Sequence, residues 1–295
     1  MRLASRMSRL GTETAFEVLA AARRLEAEGR DIVHLEIGEP DFDTPVHIIE
    51  AAIRALHSGK THYTPAAGIP ELRQAIARHV AASRGIDVDP AQVVAVPGGK
   101  PIMFFAILAL IEEGDEAIYP NPGFPIYESM IKFAGGRAVP IPLREENEFG
   151  LDLAELESLL SDRTRMLIIN SPANPTGGVL SEDELRDIAD LVRDRDLVVL
   201  ADEIYSRILY EGRFASIASL PGMAERTIIL DGFSKTYAMT GWRLGYGVMP
   251  EWLAEAVTRL MINCNSCTAA FTQVAGVEAL EGPQDAVGEM VAAFR

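Results

Sequence analysis

The chain has 295 residues, 48% hydrophobic and 24% charged, enough to bury a large core in one domain or in a main domain with a smaller companion. A formal net charge of -16 argues against binding nucleic acid through a basic face, because neutralising phosphates takes clustered Lys and Arg. The opening residues carry arginines without the apolar core of a secretory leader, and no later apolar run is long enough to span a bilayer, so no membrane association and a cytoplasmic location are expected.

Residues 1–43 read as a separate layer, an N-terminal arm with part of a small domain, and residues 44–280 as the main domain. In that domain apolar, β-rich runs alternate with helical patterns. QVVAV leads into the helix-forming IMFFAILALIEEG, EAIYP into PIYESMIKFAGG, and RMLIIN precedes SEDELRDIADLVRDRD; LVVLADEIY and RTIILDG follow. This alternation predicts an α/β fold, a mostly parallel sheet wrapped by helices. Near the end, Val287, Met290, Val291 and Phe294 have the i, i+3, i+4, i+7 spacing of an amphipathic helix that reaches the last residue without a cap, which predicts an exposed apolar stripe. Cys264 and Cys267 form the only CxxC, with no second ligand pair among the five histidines. They are expected to be reduced structural thiols, with no metal site.

In open α/β sheets ligands gather beyond the carboxyl ends of the strands. The unusual polar residues fall there: VVAV runs into Gly98, Gly99 and Lys100; LIIN into SPANPTGG with Asn174; LVVLA into Asp202 and Tyr205; TIIL into DGFSK with Lys235. Each has an ordinary explanation taken alone. A Gly-Gly makes turns, Asn174 suits one, Lys100 can be a solvated charge, and an aspartate at a strand end can cap a helix. Gly98 and Gly99 also open a helix, whose free N–H groups suit an anion, and Pro101 is well placed in its first turn. One lysine, one aspartate and a phosphate cradle together are what pyridoxal phosphate chemistry needs. The lysine amine condenses with the cofactor aldehyde, and the carboxylate keeps the pyridine nitrogen protonated. That assigns Lys235 and Asp202. Arg243, eight residues beyond Lys235, supplies a fork of donors for the phosphate, and its charge is expected to lower the lysine pKa.

The segments SPANPTGG, ADEIY and SKTYAMTGWRLGY, in this order and spacing, resemble the class I/II aminotransferases of the aspartate aminotransferase superfamily, fold type I. The resemblance extends from EIGEPDFDTP through HYTPAAGIPELR and PGGK to the end of the chain. It implies the pyridoxal phosphate large domain of that fold, accompanied by an incomplete small domain. It also implies transamination between an L-amino acid and a 2-oxo acid, with Lys235 as the general base. Asn174 and Tyr205 match the positions that bond the cofactor's phenolic oxygen, and Phe124 the aromatic on the pyridine face, unless it is plain core packing. Ser234 matches a phosphate contact, and Gly38 the backbone that approaches the substrate carboxylate, where a missing Cβ permits close contact. Tyr63 matches a tyrosine that reaches the phosphate of a neighbouring subunit, which implies a homodimer; otherwise it packs beside Pro65.

Relatives are expected to continue beyond residue 295 into the rest of a small domain bearing the arginine that clamps the substrate carboxylate. Residues 281–295 then read as the start of a helix leading into that segment, and the chain as a cofactor-binding but weakly active length. Two other readings stay open. One is a different enzyme on the same scaffold, such as a C–S β-lyase or a decarboxylating acyltransferase, since fold and cofactor leave the reaction undecided. The other is a regulatory module that keeps the scaffold without its chemistry.

Overall fold

In the computed structural model, which describes residues 2–295, seven strands form one sheet. They are β1 (Val93–Val96), β2 (Glu116–Asn121), β3 (Arg137–Pro142), β4 (Thr164–Asn170), β5 (Val198–Asp202), β6 (Thr227–Gly232) and β7 (Gly245–Val248). Their order is β1-β7-β6-β5-β4-β2-β3. The strands from β3 to β6 run parallel, while β7 lies antiparallel to both β1 and β6. The sequence reading identified every strand except β3 and β7. Pro140 and Pro142 weaken the pattern of β3, yet suit its place at the sheet edge, where missing N–H donors leave no partner unpaired. β7 has four residues, two of them glycine, too few to show a period.

Among the described residues ten α-helices surround the sheet: α1 (Ala15–Ala27), α2 (Val46–His57), α3 (Pro70–Arg84), α4 (Lys100–Leu110), α5 (Ile126–Ala134), α6 (Leu153–Leu159), α7 (Glu182–Val192), α8 (Glu251–Cys264), α9 (Ala270–Glu281) and α10 (Asp285–Phe294). Local chemistry sets their ends. Ser181 and Glu184 form a reciprocal capping box on α7. α3 starts with Pro70 and stops at Gly85, which turns left-handed at φ 68°. The helix read through IMFFAILALIEEG stops at Leu110, because Ile111 turns extended and the Asp115 carboxylate accepts from the Glu112 N–H in a tight turn.

Both faces of the sheet are covered, and alternate strand residues divide between them. Met166 and Ile168 of β4 join the core under α4, α5 and α8; Leu167 and Ile169 join the opposite core under α6 and α7. A third cluster unites α2, α3, α9 and α10 with Val93, Ala95, Tyr246 and Val248. The expected exposed stripe of α10 is not exposed: Val287 and Met290 are only 4% and 6% accessible. They pack into that third cluster, and Phe294 meets Phe42 edge-on, ring centroids 5.4 Å apart. The spacing described the helix correctly; the partner for its apolar face comes from distant sequence. Before the sheet, residues 2–43 hold a short 3-10 helix, Ser5–Arg9, and α1, joined to α5 by the Gly11 N–H donating to Ser129 Oγ at 2.9 Å.

Candidate active site

The carboxyl ends of β4, β5 and β6 are neighbours in the sheet and open into a cleft of about 1000 Å³. Its wall includes Gly38, Gly99, Lys100, Phe124, Asn174, Asp202, Tyr205, Ser234, Lys235 and Arg243, so ten positions singled out in the sequence line one space. Gly98 stands behind the wall, against Arg243. Tyr63 does not line the cleft and is 89% exposed, so it does not pack beside Pro65.

β7 separates β1 from β6, and the Gly98–Gly99 turn reaches the site by close backbone contact. A Cβ on Gly245 would stand 2.6 Å from the Gly99 nitrogen and 2.7 Å from the Gly98 carbonyl carbon, a separation no side chain permits. Gly98 itself turns at φ 85°, and its missing Cβ leaves the space that the Arg243 guanidinium occupies. Arg243 is left-handed at φ 54°, unusual for a non-glycine residue, and donates to the Thr240 carbonyl at 2.7 Å. Helix α4 starts beside it, with its first N–H groups towards the same end of the sheet.

Asp202 ends β5 and is buried, yet no Lys or Arg among the described residues forms an ion pair with it. One carboxylate oxygen accepts from Tyr127 Oη at 2.7 Å, the other from the Ile204 N–H at 3.3 Å. Burial pushes its pKa up to about 6; the Tyr127 and Ile204 donors oppose that rise, and the charge of Asp231 adds to it. It is neither a helix cap nor half of a salt bridge.

Lys235 stands in the tight turn after β6, where Tyr237 N–H bonds back to Phe233 and the buried Phe233 and Tyr237 rings fix the turn from below. Its ammonium donates to the Gly38 carbonyl and lies 5.9 Å from the Tyr205 ring centre. Its pKa is lowered, and the main cause differs from the one expected. Burial has the largest effect; Glu39 and Glu13 oppose it, and the charges of Lys100 and then Arg243 add smaller downward pushes. Burial also raises the Tyr205 phenol to about 12.

The other expected positions differ in how firmly they are held. Asn174 sits in the turn of NPTGG, its N–H given to Asn170 Oδ1 at 2.7 Å, so it is both turn former and cleft residue. Phe124 packs on the core and meets Tyr127 edge-on at 5.8 Å while also lining the cleft, so the core and site readings are both true. Lys100 is no free surface charge: it pairs with Glu13 and lies 5.2 Å from the Phe124 ring centre. A Cβ at Gly38 would meet nothing within 4 Å, only the open cleft.

Sequence reasoning missed Tyr127, Asn170 and the covering by α1. Tyr127 follows Phe124 by three residues, the spacing of one helix face, which was the available signal. Asn170 ends an apolar strand; its amide donates to the Asp202 carbonyl at 2.9 Å and ties β4 to β5. Glu13, Phe16, Leu19, Arg23 and Glu26 from α1 and its approach, with His34 and Glu36, form the outer wall. His34 is bonded by Glu36 and Glu26, which raise its pKa. No pattern in the sequence tied these residues to the sheet.

Residues 30–295 match the family model for aminotransferase class I and II. The aspartate aminotransferase of Pyrococcus abyssi is 43% identical over 265 residues, 88% of this chain and 68% of its own length. The aromatic-amino-acid aminotransferase 2 of Thermococcus litoralis is 42% identical, over 98% of this chain and 75% of its own. A solved structure of Thermus thermophilus aspartate aminotransferase with maleate superposes with a TM-score of 0.95 at 38% identity, spanning all of this chain and 77% of that one. With that family model matched over residues 30–295 and relatives above 40% identity, the chain belongs to the class I and II aminotransferases.

Proposed function

We propose that the cleft holds pyridoxal 5'-phosphate and that the chain uses it for transamination between an L-amino acid and a 2-oxo acid. The observation that carries this reading is Asp202, a buried carboxylate without a cation, facing the same cleft as a lysine whose pKa is lowered. A protonated pyridine nitrogen is the cation such a carboxylate lacks, and the anion site at Gly98, Gly99 and Arg243 fits the phosphate at the other end. When bound, the cofactor supplies an aldehyde that captures amino groups and an electron-poor ring that lets a proton leave the substrate Cα.

The chain's own residues do the rest. Arg243, Ser234, Lys100 and the N–H groups at Gly99 hold the phosphate. Asp202, oriented by Tyr127, holds the positive charge on the ring nitrogen, and its burial strengthens that attraction. Tyr205 and Asn174 donate to the ring oxygen, and Phe124 covers a ring face. Lys235, its amine more easily unprotonated than an exposed lysine, would accept the proton that leaves the substrate Cα. Gly38 leaves open space for the substrate carboxylate.

Tyr63 supports a homodimer in which it reaches the partner's phosphate, being 89% exposed. Residues 1–43 with residues 281–295, which include α10, are read as belonging to a small domain beside the 44–280 body. No helix among the described residues is long and apolar enough to cross a membrane. Free Cys264 and Cys267 accord with a cytoplasmic location. The test is amino-group exchange in the cofactor-loaded chain, with a panel of acidic, aromatic and aliphatic donors against 2-oxoglutarate. Exchange with at least one donor is expected; elimination or decarboxylation without exchange overturns the reading in favour of another enzyme of this fold.

A further inference from the structure

Beneath the cleft lies a buried ion cluster to which the reaction gives no part. Arg84, the last residue of α3, has a side chain 1% exposed. Gly85 ends the helix there and Arg84 extends into the interior, where the helix carboxyl end favours a cation. Its Nε donates to Glu203 Oε2 at 2.9 Å and its Nη2 to Asp231 Oδ2 at 2.5 Å. The third nitrogen donates to Ser83 Oγ at 2.8 Å, and the guanidinium face lies 5.1 Å from the Phe214 ring centre. Glu203 also accepts from Ser216, and Asp231 from Ser206 and the Gly232 N–H. Each polar arm of the arginine is used, and both carboxylates are fully engaged.

The arrangement matters through the chain neighbours of its members. Glu203 follows Asp202; the alternation at a strand end sends one side chain into the cleft and the next beneath it. Ser206 follows Tyr205. Asp231 lies in β6, four residues before Lys235, and its bond to the Gly232 N–H starts the turn that carries the lysine. A single guanidinium thus ties together the two loops that bear the aspartate, the tyrosine and the lysine of the site.

We propose that Arg84 is a positioning residue for transamination, clamping the ends of β5 and β6 so that Asp202, Tyr205 and Lys235 keep their relative places. The inference rests on the aminotransferase reading above. Arginine suits the place because two separate carboxylates are met by two different nitrogens of one rigid fork; a lysine offers one ammonium nitrogen, which cannot stand at both donor positions. The hold on the two strand ends is then loosened while the charge stays.

The test compares Arg84→Lys, which keeps the positive charge, and Glu203→Gln, which keeps the side-chain outline, with wild type. Amide hydrogen exchange is measured on the cofactor-free protein, and turnover with saturating pyridoxal phosphate. In Arg84→Lys, faster exchange confined to residues 203–206 and 231–236 is expected, with kcat lowered about 10- to 100-fold because misplacement of reacting groups by about 1 Å costs on that order. KM for the amino donor should move less than about threefold, since Arg84 does not line the cleft. Glu203→Gln, which keeps the hydrogen-bonding outline, should show the same pattern weakly. Wild-type kcat in Arg84→Lys overturns the clamp, and so does exchange that quickens evenly along the chain with a matching fall in Tm. A wild-type protein without amino-group exchange overturns the aminotransferase reading itself, and the clamp with it.

Discussion

The Arg243 guanidinium fills the space that a side chain on Gly98 would need: an ideal Cβ on Gly98 would stand 2.1 Å from Arg243 Nη2. Two residues 145 positions apart in the chain therefore constrain each other, and the constraint lies where a phosphate is expected to bind. Gly98→Ala must expel the guanidinium and also hold an alanine at φ 85°, a strain of about 1–3 kcal/mol. Its affinity for pyridoxal phosphate should fall about tenfold or more, at 1.4 kcal/mol per decade. Absorbance titration of the cofactor-free variant measures this; wild-type affinity would refute a phosphate role for the pair.

Lys235→Ala removes the amine while sparing the phosphate contacts. It should still bind the cofactor but lose all detectable amino-group exchange, and wild-type protein reduced with borohydride should carry the label on Lys235. Label on Lys100 or Lys60 contradicts the assignment. Because burial lowers the lysine pKa, the acid limb of the pH–rate profile should lie below that of an ordinary lysine.

Asp202 has a folded-state pKa of about 6 against 3.8 for the free side chain. The cofactor-free fold binds this proton more tightly than the unfolded chain does. Its contribution to stability is therefore fully present below pH 3.8 and is lost as pH rises through about 6. Asp202→Asn has no proton to lose, so its stability relative to wild type should rise across that window by about 3 kcal/mol, at ~1.4 kcal/mol per pKa unit. Thermal melts of both proteins at several pH values check this, and a pH-independent difference refutes it. The same variant should lose most of its turnover.

Tyr127→Phe deletes the stronger of the two hydrogen bonds to Asp202. Without that donor the carboxylate is harder to ionise, and its pKa should climb further above 6. The pH window seen in the melts then shifts upward, and kcat falls about tenfold for a charge-assisted bond worth ~1.5 kcal/mol. An unmoved window would leave Tyr127 as core packing only.

Tyr63→Ala changes a residue 89% exposed, so its Tm should match wild type while cofactor affinity weakens. Mixing it with Lys235→Ala should restore about a quarter of wild-type activity, because half of randomly formed dimers carry one intact site. A mixture no more active than Tyr63→Ala alone excludes a contribution from the partner subunit.

The residues proposed to carry the chemistry were legible in the sequence because strand ends are marked locally. An apolar run that stops before the Asn174 turn, at Asp202 or at the turn before Lys235 needs no tertiary information to be seen, and period-two and 3.6-residue patterns gave five strands and the helices between them. Tertiary structure decided what local pattern does not encode. The antiparallel β7 between β1 and β6, the burial of Val287 and Met290 in the core cluster that includes Ile48 and Tyr246, the Tyr127 bond to Asp202 and the Arg84 cluster all join residues far apart in the chain. The lowering of the Lys235 pKa belongs there too, since burial dominates it and burial is a property of everything packed around a group. Residue type and order chose the chemistry; close packing of distant segments chose the distances and charges at which it operates.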